Sequence, residues 1–450
     1  MTGEREVIAD GDSRAQAFLD GVGLRPVYPT PESRQALEGF DESLPRHGLG
    51  DQATIKLLDD LGSPGTVATN GGRYFGFVVG ASLPVAAAAE RLLLAWDNGA
   101  AAYVTGPSAA AIEKVAARWM LEILDLPSES AVGFTTSAST GTLIALIAAR
   151  RTLLGRLGWD LDRRGTSGAP DIRIVTSDVA HISVTKAVRV LGFGLENVAT
   201  VPSDEFGRLD ASKLPAIDDH TIVVLQSGEV NTGESDPFRD VIAAAQAVGA
   251  WVHVDGAFGL WARASKHRAE TDGVDAADSW TVDGHKWLNT PYDSAMVITR
   301  RSEDLVAAMQ SDSPYAPSSP DAQKNLSLDF SRRARGVAIW AALRSLGRDG
   351  VAELIERTVD LAAVVADGLR DAGYSVLNRV VLNQVLFASD DDEGTLRILH
   401  AVQDSGKFWF GQTLWRGKVA LRISVSSWRT TRDDVDQLIV MLALLRQSDS

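Results

Sequence analysis

Between residues 172 and 299 the chain alternates short apolar runs with segments of helical periodicity, and no other feature restricts the fold as much. The strand candidates are 172–176 (IRIVT), 221–227 (TIVVLQS), 251–255 (WVHVD), 279–283 (SWTVD) and 294–299 (SAMVIT). Helical patterns cover about 141–156, 182–192 and 237–248. The last has Asp236 as its expected N-cap, Pro237 at its first helical position and Gly249 just past its end. Strands joined through helices pair in parallel and are buried on both faces, so an α/β unit with a mostly parallel sheet is expected. Beyond it the rhythm changes. A helical pattern over about 332–373, strand-like runs at 380–388 and 419–425, and a helix near 431–446 predict a smaller C-terminal α+β domain. The first 60 residues are polar and helical in pattern. Residues 311–323 (SDSPYAPSSPDAQ) hold three prolines and four serines and read as an exposed loop.

Composition then removes whole classes of chemistry. There is no cysteine, which excludes disulfides, thiolate metal sites and cysteine nucleophiles, and no metal site is expected. Forty-four basic and fifty-nine acidic residues give a net charge of −15, the wrong sign for binding nucleic acid or an anionic membrane. The most apolar stretch, Phe75 to Ala89, is too short to span a bilayer, and the N-terminal MTGEREVIADGDS is no signal peptide. A cytoplasmic location is expected.

Four segments carry candidate chemistry. Lys286, in Gly284-His285-Lys286-Trp287, follows an apolar strand at the sheet edge where open α/β folds bind ligands. A partly desolvated lysine there can condense with a carbonyl, although the tetrapeptide alone reads equally well as a lysine reaching solvent. Asp255 ends the strand 251–255; a buried carboxylate needs a cationic partner, for which a pyridinium nitrogen serves, while an ordinary loop-capping aspartate is the alternative. Thr135-Thr136-Ser137-Ala138-Ser139-Thr140-Gly141 runs into an apolar helix, offering amides and hydroxyls to a phosphate, or merely capping the helix. His181, at the start of another helix, could stack on a planar ring or simply be satisfied in the core.

Each signal is weak by itself; their order along the chain is specific. The stretches GGRYFGFVVGASLP (71–84), TTSASTGTLIALIAAR (135–150), AHISVTKAVRVLG (180–192), HVDGAFG (253–259), DGHKWLNTPYD (283–293) and SRRARGVAIWAALRSLG (331–347) resemble the group II pyridoxal-phosphate-dependent amino-acid decarboxylases, over about residues 70–445. The resemblance implies fold type I: a mostly parallel seven-stranded sheet between helices (71–330), a small α+β domain (331–450) and an N-terminal helical arm (1–70). It implies pyridoxal 5′-phosphate as cofactor, with Lys286 the internal-aldimine lysine. Asp255 would pair with the pyridinium nitrogen, while Ala257 and His181 would take the two faces of the ring. Ser137, Ala138 and Ser139 would hold the phosphate, with Asp283 nearby where other members have Asn, and His285 would orient or shield the site. Family members are homodimers with active sites at the interface, so the segment around Tyr103 would reach the partner's substrate pocket, with Phe75 and Arg422 as further substrate contacts. Tyr315, the tyrosine of the 311–323 loop, would be the acid that protonates Cα. Where aromatic-specific members have threonines, this chain has Gly228-Glu229-Val230-Asn231-Thr232, so Asn231 would stand near the ring oxygen. The implied reaction converts an L-amino acid to its amine and carbon dioxide through a quinonoid. The same cofactor also supports oxidative deamination to an aldehyde, aminotransfer or elimination, and the substrate is not legible.

Overall fold

The computed structural model describes residues 2–310 and 322–449. Contacts divide the chain into two units. One comprises Ser82–Ala362 with Asn378–Gln384 and is built on a seven-stranded sheet. Its strands are β1 (Ala131–Thr135), β2 (Arg173–Ser177), β3 (Val198–Val201), β4 (Thr221–Gln226), β5 (Trp251–Asp255), β6 (Ser279–Asp283) and β7 (Ala295–Thr299), in the order β1-β7-β6-β5-β4-β2-β3. The pairs β2–β3, β2–β4, β4–β5 and β5–β6 are parallel, and β7 runs antiparallel to both neighbours. Strands β1 and β4 to β7 are buried at every position, as expected for a sheet covered on both faces. The helix Ala138–Arg156 packs on this sheet so closely that a Cβ on Gly141 would lie 2.7 Å from Thr281 Cγ2.

The expected strands at 172–176, 221–227, 251–255, 279–283 and 294–299 all form, within a residue or two at their ends. Strands β1 and β3 were not anticipated. Helix 237–248 forms as Phe238–Ala247, but its punctuation differs: Pro237 is the N-cap, and the Asp236 carboxylate instead accepts the amides of Leu209 and Gln226, both at 2.7 Å.

The other unit contains residues up to Ala81, Ala363–Leu377 and the chain from Val385 onward. It carries the helices Thr2–Gly21, Asp51–Gly65, Asp392–Asp404 and Arg432–Asp449, and a sheet ordered β10-β11-β9-β8. These strands are β8 (Ser375–Val376), β9 (Gln384–Ala388), β10 (Gly411–Trp415) and β11 (Lys418–Ser424). The run 380–388 thus forms a strand only in its second half. Residues 74–75 are stitched into this unit: the Phe75 amide donates to the Trp409 carbonyl at 2.7 Å, and Ser424 donates to the Phe75 carbonyl at 2.9 Å. The expected helix 332–373 appears as Gly336–Asp371 and is broken at Gly347, whose φ of 63° departs from the helical value. Among the described residues no helix is long and apolar enough to cross a membrane.

Candidate active site

Strands β4, β5 and β6 end side by side at Gln226, Asp255 and Asp283, and β1, antiparallel to β7 like β6, ends at the same edge before running into the turn at Ser137. The topology therefore gathers the residues of four distant segments at one carboxyl edge.

Asp255 is buried, and its Oδ1 accepts the Ala257 amide at 3.2 Å, the sole donor to this carboxylate among the described residues. A buried carboxylate so thinly partnered keeps an open side for a cation. Ala257 is half-buried, and its carbonyl accepts the Asp283 amide at 2.9 Å, which ties the two strand ends together. Two residues earlier, His253 is fully buried between β6 and the helix Ala138–Arg156: Nδ1 meets Ser279 Oγ at 2.9 Å and Nε2 meets Thr142 Oγ1 at 3.4 Å. Burial pushes His253 down to about 4.

After Asp283 the chain turns so sharply that a Cβ on Gly284 would lie 2.5 Å from Ser294 Oγ and 2.7 Å from Thr290 Oγ1. Glycine is required at this close approach. The turn returns through the amides of Gly284 and Thr290, which donate to Ser294 and Gly284 carbonyls at 2.9 and 3.1 Å. It presents Lys286, whose side chain is 21 % exposed and whose Nζ lies 3.2 Å from Asp283 Oδ2. His285 Nδ1 faces the Ser294 carbonyl at 2.9 Å, so this nitrogen carries the proton, and Nε2 lies 3.8 Å from Asp283 Oδ2. The Tyr292 ring packs on His285 with centroids 4.6 Å apart, and burial, then the Asp283 charge, push its phenol up.

Ser137 is the N-cap of the helix Ala138–Arg156, its hydroxyl accepting the Thr140 amide at 3.3 Å. The Ala138 amide donates to Asp283 Oδ1 at 2.7 Å, so Ala138 holds the carboxylate rather than offering a free donor. Ser139 is exposed, and its amide has no acceptor among the described residues. His181 caps the helix Ile182–Val190 through Nδ1, which accepts the Ser183 amide at 3.3 Å, and its own amide donates to Gln226 Oε1 at 3.1 Å. Its ring is exposed.

Asn231 is held tightly: its amide and Nδ2 both donate to the Glu229 carboxylate, each at 2.8 Å, and the Thr232 amide adds a third bond at 2.8 Å. Burial pushes Glu229 up despite these donors. Tyr103 is 69 % exposed. Phe75 is 0 % exposed and stacks on Phe408 with ring centroids 6.3 Å apart. Arg422 lies on β11 opposite Gly411, in the other unit. Tyr315 lies outside the described residues.

Sequence reasoning missed Glu229, Tyr292 and Trp261, whose indole donates to the Asp283 carbonyl at 2.9 Å. Glu229 and Tyr292 lie within the segments 228–232 and 283–293 but form no pattern of their own, and Trp261 gave no signal beyond its apolar surroundings.

The family described as "Pyridoxal-dependent decarboxylase conserved domain" matches residues 60–389. An aromatic-L-amino-acid decarboxylase of Bacillus atrophaeus is 25 % identical, with 96 % of this chain and 93 % of that protein aligned. A phenylacetaldehyde synthase of Arabidopsis thaliana is 24 % identical over 88 % of this chain and 86 % of its own. The crystal structure of Oryza sativa TDC with PLP and tryptamine superposes with a TM-score of 0.93 at 23 % identity, covering 100 % of this chain and 98 % of that one.

Proposed function

We propose a reaction for this site on the premise that the chain belongs to the pyridoxal-dependent decarboxylase family. It is an amino-acid carboxy-lyase that uses pyridoxal 5′-phosphate. The proposal is that it converts an L-amino acid to the corresponding amine and carbon dioxide, and the observation that carries it is the meeting of Lys286, Asp255 and the Ser137 turn at one sheet edge.

The residues present fit the cofactor. Asp255 has an unmet carboxylate for the ring nitrogen, Lys286 a partly exposed amine for the aldehyde, and Ser137 and Ser139 hydroxyls plus the Ser139 amide for the phosphate. When bound, the cofactor supplies a protonated ring that takes up the electron pair released from a bond at the substrate's Cα. Asp255 would hold the ring-nitrogen proton in place, and Ala257 and His181 would flank the ring. His285, fixed by the Ser294 carbonyl, keeps its Nδ1 proton out of the chemistry and shields the lysine side. Glu229 anchors Asn231, which would stand near the ring oxygen. Loss of carbon dioxide would be favoured by surroundings that stabilise a neutral product over a charge. Tyr103 from a second copy of the chain would complete the site, and Tyr315 would be the proton donor to Cα.

A second outcome, decarboxylation with oxygen-dependent deamination to an aldehyde, ammonia and peroxide, is favoured by the aldehyde-forming relative of Arabidopsis. One experiment separates them: incubate the protein and its Lys286→Ala variant with each amino acid under air, and measure amine, carbon dioxide, keto acid, peroxide and ammonia. Amine and carbon dioxide from wild type alone support the first reading; aldehyde with peroxide supports the second. Keto acid without carbon dioxide sinks both.

A further inference from the structure

We propose that Asp283 is a resident anion of the phosphate-holding turn, whose charge loosens the protein's grip on pyridoxal 5′-phosphate so that the cofactor exchanges. The proposal rests on the reading of Lys286 and residues 137–140 as the cofactor site. Asp283 ends β6 with its side chain 3 % exposed. Its Oδ1 accepts the Ala138 amide at 2.7 Å; its Oδ2 stands 3.2 Å from Lys286 Nζ and 3.8 Å from His285 Nε2.

The first turn of the helix Ala138–Arg156 turns the amides of residues 138, 139 and 140 toward an anion. The first of these is taken by Asp283 and the third by the Ser137 hydroxyl, which leaves the Ser139 amide. A helix N-terminus draws anions because its amides are uncompensated, and here a protein carboxylate already compensates one. An incoming phosphate carries nearly two negative charges and meets that carboxylate where little water screens them. Few charges offset it. Lys286 and His285 stand beside Asp283, with Tyr292 packed on His285; Asp255 ends the neighbouring strand and adds negative charge. The helix itself brings no charged side chain before Arg150. Lys286 is moreover the nitrogen that would condense with the aldehyde: the Nζ–C bond would form, the aldehyde oxygen would leave as water with two of the Nζ hydrogens, and the third would stay on nitrogen, so the lysine brings no positive charge beyond the one already beside Asp283. Asparagine would keep an oxygen for the Ala138 amide and remove the charge.

Cofactor-free wild type and Asp283→Asn are titrated with pyridoxal 5′-phosphate, with pyridoxal and with inorganic phosphate, read by tryptophan fluorescence and by the absorbance of the bound aldehyde. The expected result is at least a fivefold lower Kd for pyridoxal 5′-phosphate and for phosphate in the variant, with pyridoxal changing less than twofold. Phosphate binding that is unchanged or weaker overturns the proposal. Equal tightening toward pyridoxal also overturns it, because the effect then lies at Lys286. Should the asparagine variant fail to fold, Asp283→Ser removes the same charge and is judged by the same criteria. Borohydride reduction of the wild-type holoenzyme followed by peptide mapping separates the two readings. No label on Lys286 sinks the cofactor site itself, whereas a labelled Lys286 with no tightening in Asp283→Asn sinks the resident-anion proposal alone.

Discussion

His253 and Asp236 are both buried titratable groups near the carboxyl edge, and they oppose one another in acid. Burial pushes His253 from 6.5 down to about 4 and Asp236 from 3.8 up to about 6. At His253 the unfolded chain binds the extra proton between about pH 4 and 6.5, so this group's stability contribution is lost as pH falls through that window. At Asp236 the folded chain binds the extra proton between 3.8 and about 6, so its contribution falls as pH rises. At about 1.36 kcal/mol per unit, each effect is worth roughly 3 kcal/mol, and the two nearly cancel between pH 4 and 6. Asp236→Asn removes one side of the balance. The variant is expected to lose more stability than wild type on going from pH 6.5 to 4.5, by about 2 kcal/mol, read as a steeper fall in Tm. Parallel Tm profiles would refute the assignment. Asp255→Asn tests the neighbouring carboxylate: it should retain most of the cofactor yet lose at least tenfold in kcat with little change in KM, since the ring-nitrogen proton matters most in the transition state. An unimpaired kcat removes Asp255 from that role.

The turn between β6 and β7 is the element that most directly sets the lysine. A Cβ at Gly284 meets two hydroxyl oxygens that themselves hydrogen-bond at 2.8 Å, so neither can retreat without breaking the turn. Gly284→Ala should therefore empty the cofactor site far more than it lowers Tm: covalent cofactor occupancy is expected to fall at least fivefold, measured by borohydride trapping. Full occupancy would show that the turn does not position Lys286. This element was legible in the sequence because strand, glycine and lysine follow one another without interruption. Strands β4 to β7 were legible because each sets bulky apolar residues in a short segment that ends on a polar residue. Strand β3 was not, because only its last position is buried and it is only four residues long. Strand β1 is buried but short, and its apolar residues pass straight into the hydroxyl-rich turn, so the anion motif concealed the strand. Asp236 was misread because local spacing favours an N-cap, whereas two backbone amides from elsewhere in the fold claim its carboxylate. The site residues Lys286, Asp255 and the Ser137 turn were readable as chemistry at strand ends. Glu229 and Tyr292 were not, since their importance comes from packing against Asn231 and His285 rather than from any pattern of their own.

At the scale of the whole molecule, the unsolved cost is apolar surface left in water. The helix Pro84–Trp96 and the turn that follows expose Leu92, Leu94 at 64 %, Trp96, Tyr103 and Val104 at 79 %. Single exposed apolar residues need no explanation, but a run of large ones in adjacent elements marks an interaction surface. The occupant proposed here is a second copy of the chain, which would bring Tyr103 of one subunit to the substrate site of the other. Burying these side chains is worth about 25 cal/mol per Å², so a charge placed among them should weaken association severely. Leu94→Glu combined with Val104→Glu is expected to raise the dimer dissociation constant at least tenfold, measured by sedimentation. Specific activity of the double variant should then fall on dilution and recover with protein concentration, because the site is complete only in the dimer. Lys286→Ala mixed with Tyr103→Ala supplies the complementary test: if Tyr103 acts across the interface, exchange of subunits restores one site with Lys286 and an intact partner tyrosine only when the two lesions fall on the same pairing. The other site of the heterodimer carries both lesions and stays inactive, so activity above that of either parent is expected, and it should track the population of heterodimer. A fully active monomer at assay concentration would overturn both the dimer and the place given to Tyr103.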